Sequence, residues 1–81
     1  MITIYGSMLC KDCVICREEL DKAGVFYDYR DIADDLQNLK AFLAIRDDEP
    51  IFEGVKKEGG IGIPCILRED HSVTLDWKEF L

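Results

Sequence analysis

The sequence has no long apolar run. No segment approaches the twenty or so residues a helix needs to cross a bilayer, so a membrane protein is not expected. Positive charge is also scarce. Ten Lys and Arg stand against 17 Asp and Glu, a formal net charge of −7. Nucleic acid rewards clustered basic side chains, so no nucleic-acid partner is expected, and a small anionic ligand is disfavoured unless a local basic patch overrides the field. The amino-terminal MITIYGS lacks the basic and long apolar segments of a secretion signal. Histidine occurs once, as His71, in a polar stretch beside Glu69 and Asp70. Alone it reads as exposed polar sequence. Linkers, repeats and low-complexity segments are all missing.

What remains is one small domain of 81 residues, 48% apolar, with enough hydrophobic side chains for a core of its own. Its most informative residues are four cysteines, Cys10, Cys13, Cys16 and Cys65. A chain without a secretion signal is expected in the cytoplasm. Cysteines there are more often catalytic, metal-binding or simply buried than structurally bridged.

Hydrophobic patterning predicts four strands and three principal helices, with one shorter helical piece between the second helix and the third strand. MITIY, rich in β-branched residues, predicts a first and central strand, and GSML a loop. A helix is expected to open at Cys10 and run to about Ala23, with Val14, Ile15 and Leu20 helically spaced and Gly24 ending it. Alternation from Val25 to Ile32 predicts a second strand. ADDLQNLKAFLAIRDD is the clearest helix, with Leu36, Leu39, Phe42 and Leu43 on one face and acidic residues at its start. A shorter helical piece follows, with Pro50 in its first turn and Gly59-Gly60 ending it. IPCIL predicts a third strand, EDHS a turn, VTL a fourth strand and DWKEFL a short helix capped by Asp76. The β-α-β-α-β-β-α order predicts an α/β fold with a parallel first crossover and an antiparallel closing hairpin.

The stretch YGSMLCKDCVIC admits three chemistries. The first is a metal cage. C-x₂-C-x₂-C resembles the opening of an iron–sulfur run, but the continuing cysteine and proline are missing: position 20 is Leu. Zinc would ask for a second closely spaced ligand pair, and only Cys65 and His71 are left. The second is a redox pair. A thiol at Cys10 would face the unpaired N–H groups and positive dipole end of a helix start, which favour thiolate. Lys11 adds positive charge, partly offset by Asp12. Cys13, one turn on and better shielded, is within disulfide reach. An exposed sulfur that attacks and a sheltered one that resolves are what thiol–disulfide exchange requires. The third concerns spare thiols. Cys16, a further turn in, reads as a small buried hydrophobe or as an exchange partner that captures Cys13 under oxidation.

The motifs ITIYGSMLCKDC and GIGIPCIL, with the element order, resemble the glutaredoxin branch of the thioredoxin-fold proteins over nearly the whole chain. The resemblance implies a thioredoxin-like, glutaredoxin-type fold, with a four-stranded mixed sheet flanked by helices. It implies a disulfide reductase in which Cys10 is the nucleophile and Cys13 resolves. It implies a cis Pro64, with the Ile63 backbone free to pair with a substrate chain. The substrate would be a protein or low-molecular-weight disulfide, and the electron donor a reductase or glutathione. Several residues depart from the family pattern. Ser7 stands where a lysine is usual, CKDC replaces Cys-Pro-Tyr-Cys, and TLDWKEFL replaces the Gly-Gly-x-Asp stretch that cradles glutathione. Only Asp76 and Lys11 remain to stand in. Glutathione dependence is therefore not carried over, and no cofactor is required. Cys65, next to Pro64, is expected near the active site if its strand parity turns it that way, and could then bridge to Cys16 or Cys13. The competing reading is a non-catalytic module, either coordinating metal through Cys10, Cys13 and Cys65 or serving as an adaptor.

Overall fold

The computed structural model describes all 81 residues. Strand β1, Ile2–Gly6, lies inside a four-stranded mixed sheet of order β2-β1-β3-β4. Helix α1, Lys11–Lys22, carries the chain across to β2, Tyr27–Asp31, which runs parallel to β1 in the register Ile2–Tyr27 and Ile4–Tyr29. Helix α2, Leu36–Asp48, follows. A 3-10 turn at Pro50–Phe52 then leads directly into the short helix α3, Glu53–Lys57. Strand β3, Cys65–Leu67, pairs antiparallel with β1 and with β4, Val73–Thr74, and the chain closes in a 3-10 turn at Trp77–Phe80.

Strand alternation divides the core into two layers. Ile2, Ile4 and Ile66 face α1 and bury Cys16 and Leu20, with Tyr27, Tyr29, Trp77 and Phe80 closing the rim. Tyr5 and Cys65 face the other way, onto Phe42 of α2 and Phe52. Phe42 meets Phe52 edge-on at 6.0 Å between ring centres. Burying each such ring is worth roughly 1.5–3 kcal/mol.

Several element bounds differ from the sequence reading. β1 extends through Gly6, which was expected to begin the loop. β2 omits Val25 and Phe26, because Gly24 at φ +71° and a Val25 N–H to Leu20 carbonyl bond of 3.0 Å wrap the end of α1. Helix α2 begins three residues later than expected. The Asp31 carboxylate accepts the N–H groups of Ala33 and Asp34, holding them in a turn, and Asp35 then caps the helix through Gln37 N–H at 2.8 Å. The expected apolar face is also rotated. Phe42 of that face is fully buried and Leu39 half-buried, but Leu36 is 65% exposed and Leu43 39%, and Ala41 and Ile45 join Phe42 at the core instead. The closing element is 3-10 rather than α, with Asp76 capping it through Lys78 N–H.

Candidate functional site

The loop from Ser7 to Cys10 delivers the first cysteine. The Ser7 side-chain oxygen accepts the Leu9 N–H at 3.1 Å, and its carbonyl accepts the Cys10 N–H at 3.0 Å. This local turn, typical of serine, leaves Ser7 buried. Met8 is held from two sides. Its N–H donates to Asp31 at 3.4 Å, and its sulfur accepts from the Arg17 guanidinium at 3.3 Å. The tether places Cys10 at the N-cap of α1, half-buried, its side chain making no capping hydrogen bond.

Cys13 is one turn further into α1 and 1% exposed. Burial pushes its thiol up to about 12; the Ser7 backbone N–H pulls the other way, and the neighbouring sulfurs of Cys10 and Cys16 add to the rise. Glycine at position 6 makes room for it. A Cβ there would stand 3.0 Å from the Cys13 sulfur and 3.2 Å from the Tyr29 hydroxyl. That hydroxyl is fully buried without a hydrogen-bond partner, an arrangement that costs about 1–3 kcal/mol. The Tyr29 ring is covered by Arg17, whose guanidinium carbon lies 4.1 Å from the ring centre.

A cavity of about 620 Å³ opens beside Cys10, walled by Leu9, Ile32, Ile61 and Ile63 together with the Gly59–Gly62 backbone. None of its lining residues is charged. The far wall is fixed by Arg46 of α2, which donates to the carbonyls of Ile61 and Gly60, both at 2.8 Å. Gly62, at φ +96°, is the only residue type that fits, since a Cβ would come within 2.6 Å of the Phe52 ring. The Ile63–Pro64 peptide bond is cis.

The expected residues are thus partly assembled. Cys10 and Ile63 line one cavity, Cys13 is sheltered behind Cys10, and Pro64 is buried beside Ile63. Lys11 is exposed at the first residue of α1 and does not line the cavity. The two remaining cysteines are elsewhere. Cys16 lies in the α1 layer, its thiol pushed up to about 11 by burial. Cys65 is paired opposite Tyr5 and turned onto Phe42 and Phe52, its thiol pushed up to about 12 by burial and by Glu49. Strand parity, which the sequence leaves open, turns Cys65 away from the α1 layer, so the sheet stands between it and Cys16 and the conditional bridge between them is not formed. No group of three His, Cys, Asp or Glu side chains is arranged to hold a metal ion, so the grouping of Cys10, Cys13 and Cys65 as ligands is not formed.

Sequence reading missed Gly6, Tyr29, Arg46 and Gly62. A glycine in a strand does signal close approach of another group, and Gly6 precedes the cysteine motif by few residues. Arg46 carried no local signal.

A protein of Haemophilus influenzae, described as an uncharacterized protein, is 40% identical over 73 residues, spanning 90% of this chain and 85% of the relative. The chain belongs to that protein's family. No family model matches the chain, and no solved structure does.

Proposed function

We propose that the protein is a cytoplasmic thiol–disulfide oxidoreductase with a thioredoxin-like, glutaredoxin-type fold. What carries this reading is the asymmetry of two adjacent sulfurs. Cys10 is accessible at a helix start and at the mouth of a cavity, whereas Cys13 is buried one turn behind it and held as a thiol. The Cys10 thiolate attacks a substrate disulfide, forming a mixed disulfide and expelling one substrate thiolate. Cys13 loses its proton and attacks the Cys10 sulfur, expelling the second. Two electrons pass to the substrate, and the Cys10–Cys13 bridge remains. A reductase or a small thiol returns the electrons.

The cavity supports a protein disulfide as substrate. Its walls are aliphatic, and the Ile63 backbone borders it, so an extended chain with apolar residues around its cysteine matches it. Glutathione is a weaker candidate, since no cationic side chain lines the wall and the chain itself is acidic.

The test is substitution at each cysteine. Cys10→Ser should abolish disulfide reduction without unfolding the domain. Cys13→Ser should accumulate mixed disulfides at Cys10, visible by mass under non-reducing conditions. If the wild type reduces no disulfide and Cys13→Ser traps nothing, the adaptor reading replaces this one. Metal release with a drop in Tm on either change would favour the metal-binding module.

A further inference from the structure

Tyr29 sits on β2 opposite Ile4 and so faces α1. Its hydroxyl has no hydrogen-bond partner although no solvent reaches it. The Cys13 sulfur and this hydroxyl both lie within 3.2 Å of one point, the place a Cβ on Gly6 would occupy. The nearest cation does not use the hydroxyl. Arg17 lies on the ring face and donates to the Tyr27 hydroxyl at 3.3 Å and to Met8. A buried donor left unpaired in a well-packed core needs a reason. A neutral thiol is a weak acceptor, while an anionic sulfur is a strong one.

We propose that the Tyr29 hydroxyl is the hydrogen-bond donor to the Cys13 sulfur whenever that sulfur carries negative charge in thiol–disulfide exchange. The inference rests on the oxidoreductase reading above and deepens it. When a reducing thiolate attacks the Cys10 sulfur of the Cys10–Cys13 bridge, a bond forms between the incoming sulfur and Cys10. The Cys10–Cys13 bond breaks, and its electron pair leaves on Cys13. That buried anion is met by the Tyr29 O–H and then takes a proton from water. A second thiolate attacks the mixed disulfide at the external sulfur and frees Cys10, so one external disulfide forms as the protein gains two electrons. In the opposite direction Cys13 must become anionic before it attacks, and the same donor lowers that cost. Glycine at position 6 keeps the space between donor and acceptor open.

The phenol is suited to donate rather than ionise. Burial, then the charges of Cys13 and Asp31, push it up to about 12; Arg17 pulls the other way and Cys10 adds a smaller rise. Those four groups, from α1 with its cap and from β2, are the titratable or charged neighbours that act on it. The facing residues of β1, Ile4 and Gly6, carry no charge.

The experiment compares wild type with Tyr29→Phe, using Tyr27→Phe as a control hydroxyl that already has partners in Arg17 and Asp21. The Tyr29→Phe protein should keep or slightly raise its Tm, because it loses only an unpaired buried hydroxyl. Opening of its Cys10–Cys13 bridge by dithiothreitol at pH 7 should be slower by about ten-fold, the scale of one hydrogen bond to a charged group. Closure of the bridge from a mixed disulfide at Cys10, which requires the Cys13 anion, should slow by a similar factor between pH 7 and 9. Tyr27→Phe should change neither. A bridge that opens and closes equally fast in wild type and Tyr29→Phe overturns the role of Tyr29 alone. A wild type that forms no Cys10–Cys13 bridge overturns the oxidoreductase reading and the leaving-group role with it.

Discussion

The Cα of Gly6 faces the sulfur of Cys13 so closely that a Cβ added to it would stand 3.0 Å away. Such a contact is tighter than nearly all packed side chains make, and with the Tyr29 hydroxyl at 3.2 Å as well, either group must shift by a few tenths of an ångström to admit it. Gly6→Ala should therefore destabilise the domain by about 1–3 kcal/mol, the usual cost of overfilling a packed core. Gly54→Ala is the matched control. Nothing lies within 4 Å of its Cβ, and it sits in α3. There the change should be neutral or stabilising by up to about 1 kcal/mol. Urea unfolding midpoints at constant m-value check both.

A second prediction concerns pH. Burial raises the thiols of Cys13, Cys16 and Cys65 from the ordinary 9.0 to about 12, 11 and 12. Each folded value exceeds the unfolded one, so the unfolded chain releases these protons first as pH rises. Their stabilising contribution is whole below pH 9 and declines from there through about 11 to 12. Once the unfolded thiols have ionised, the slope is about 1.4 kcal/mol per pH unit for each cysteine still protonated in the fold. Stability measured from pH 8 to 11 should fall accordingly, and Cys65→Ala should flatten the fall by one cysteine's share, whatever its own cost at neutral pH. Under native conditions from pH 7 to 9, iodoacetamide should label Cys10 alone. Label on Cys16 or Cys65 of the folded protein would contradict the burial described.

How much of this was readable from the chain follows from the range of each signal. The helix start at the cysteines, the stop at Gly59-Gly60 and the final hairpin each depend on a few adjacent residues, and the structure has them. The direction of Cys65 depends on register. Pairing of Tyr5 with Cys65, and of Ile4 with Ile66, decides which layer receives the sulfur, and a shift of one residue would reverse it. Leu36, Phe42 and Leu43 fit one helical stripe, yet only Phe42 of the three is buried and Ala41 and Ile45 pack beside it, because the final rotation of the helix is set by packing against Phe52 and the sheet, which the periodicity alone does not contain. The Tyr29–Gly6–Cys13 cluster draws one residue each from β2, β1 and α1, so only the folded chain brings it together.

Arg46 supplies a third prediction. Its guanidinium binds two carbonyls on the cavity's far wall, which a lysine's single ammonium cannot match in geometry. Arg46→Ala should cost about 1–3 kcal/mol, the range for losing hydrogen bonds from a charged donor. Amide exchange should accelerate selectively at residues 59–63 of the loop. Arg46→Lys should recover only part of the stability. Uniform acceleration across the whole domain would mean that Arg46 supports the global fold rather than this wall.

The last prediction separates classes of substrate. Leu9 and Ile61 project at the cavity, Leu9 being 90% exposed, and no charged residue lines the wall. Glutathione disulfide is anionic at neutral pH, and the protein carries a formal −7. Their encounter is opposed by long-range repulsion, with no local cation to offset it. A neutral disulfide such as bis(2-hydroxyethyl) disulfide meets no such barrier. At low ionic strength the reduced protein should therefore react more slowly with glutathione disulfide, by about ten-fold in second-order rate, an order of magnitude well within the reach of electrostatic steering. Raising salt from about 0.01 to 0.15 M shortens the screening length from about 30 to 8 Å. The gap should then narrow, and it should narrow through the glutathione rate alone. Stopped-flow measurements of both disulfides across that salt range provide the check. Saturable, rapid reaction with glutathione disulfide that salt slows would require a cationic subsite, and would restore glutathione as the natural partner.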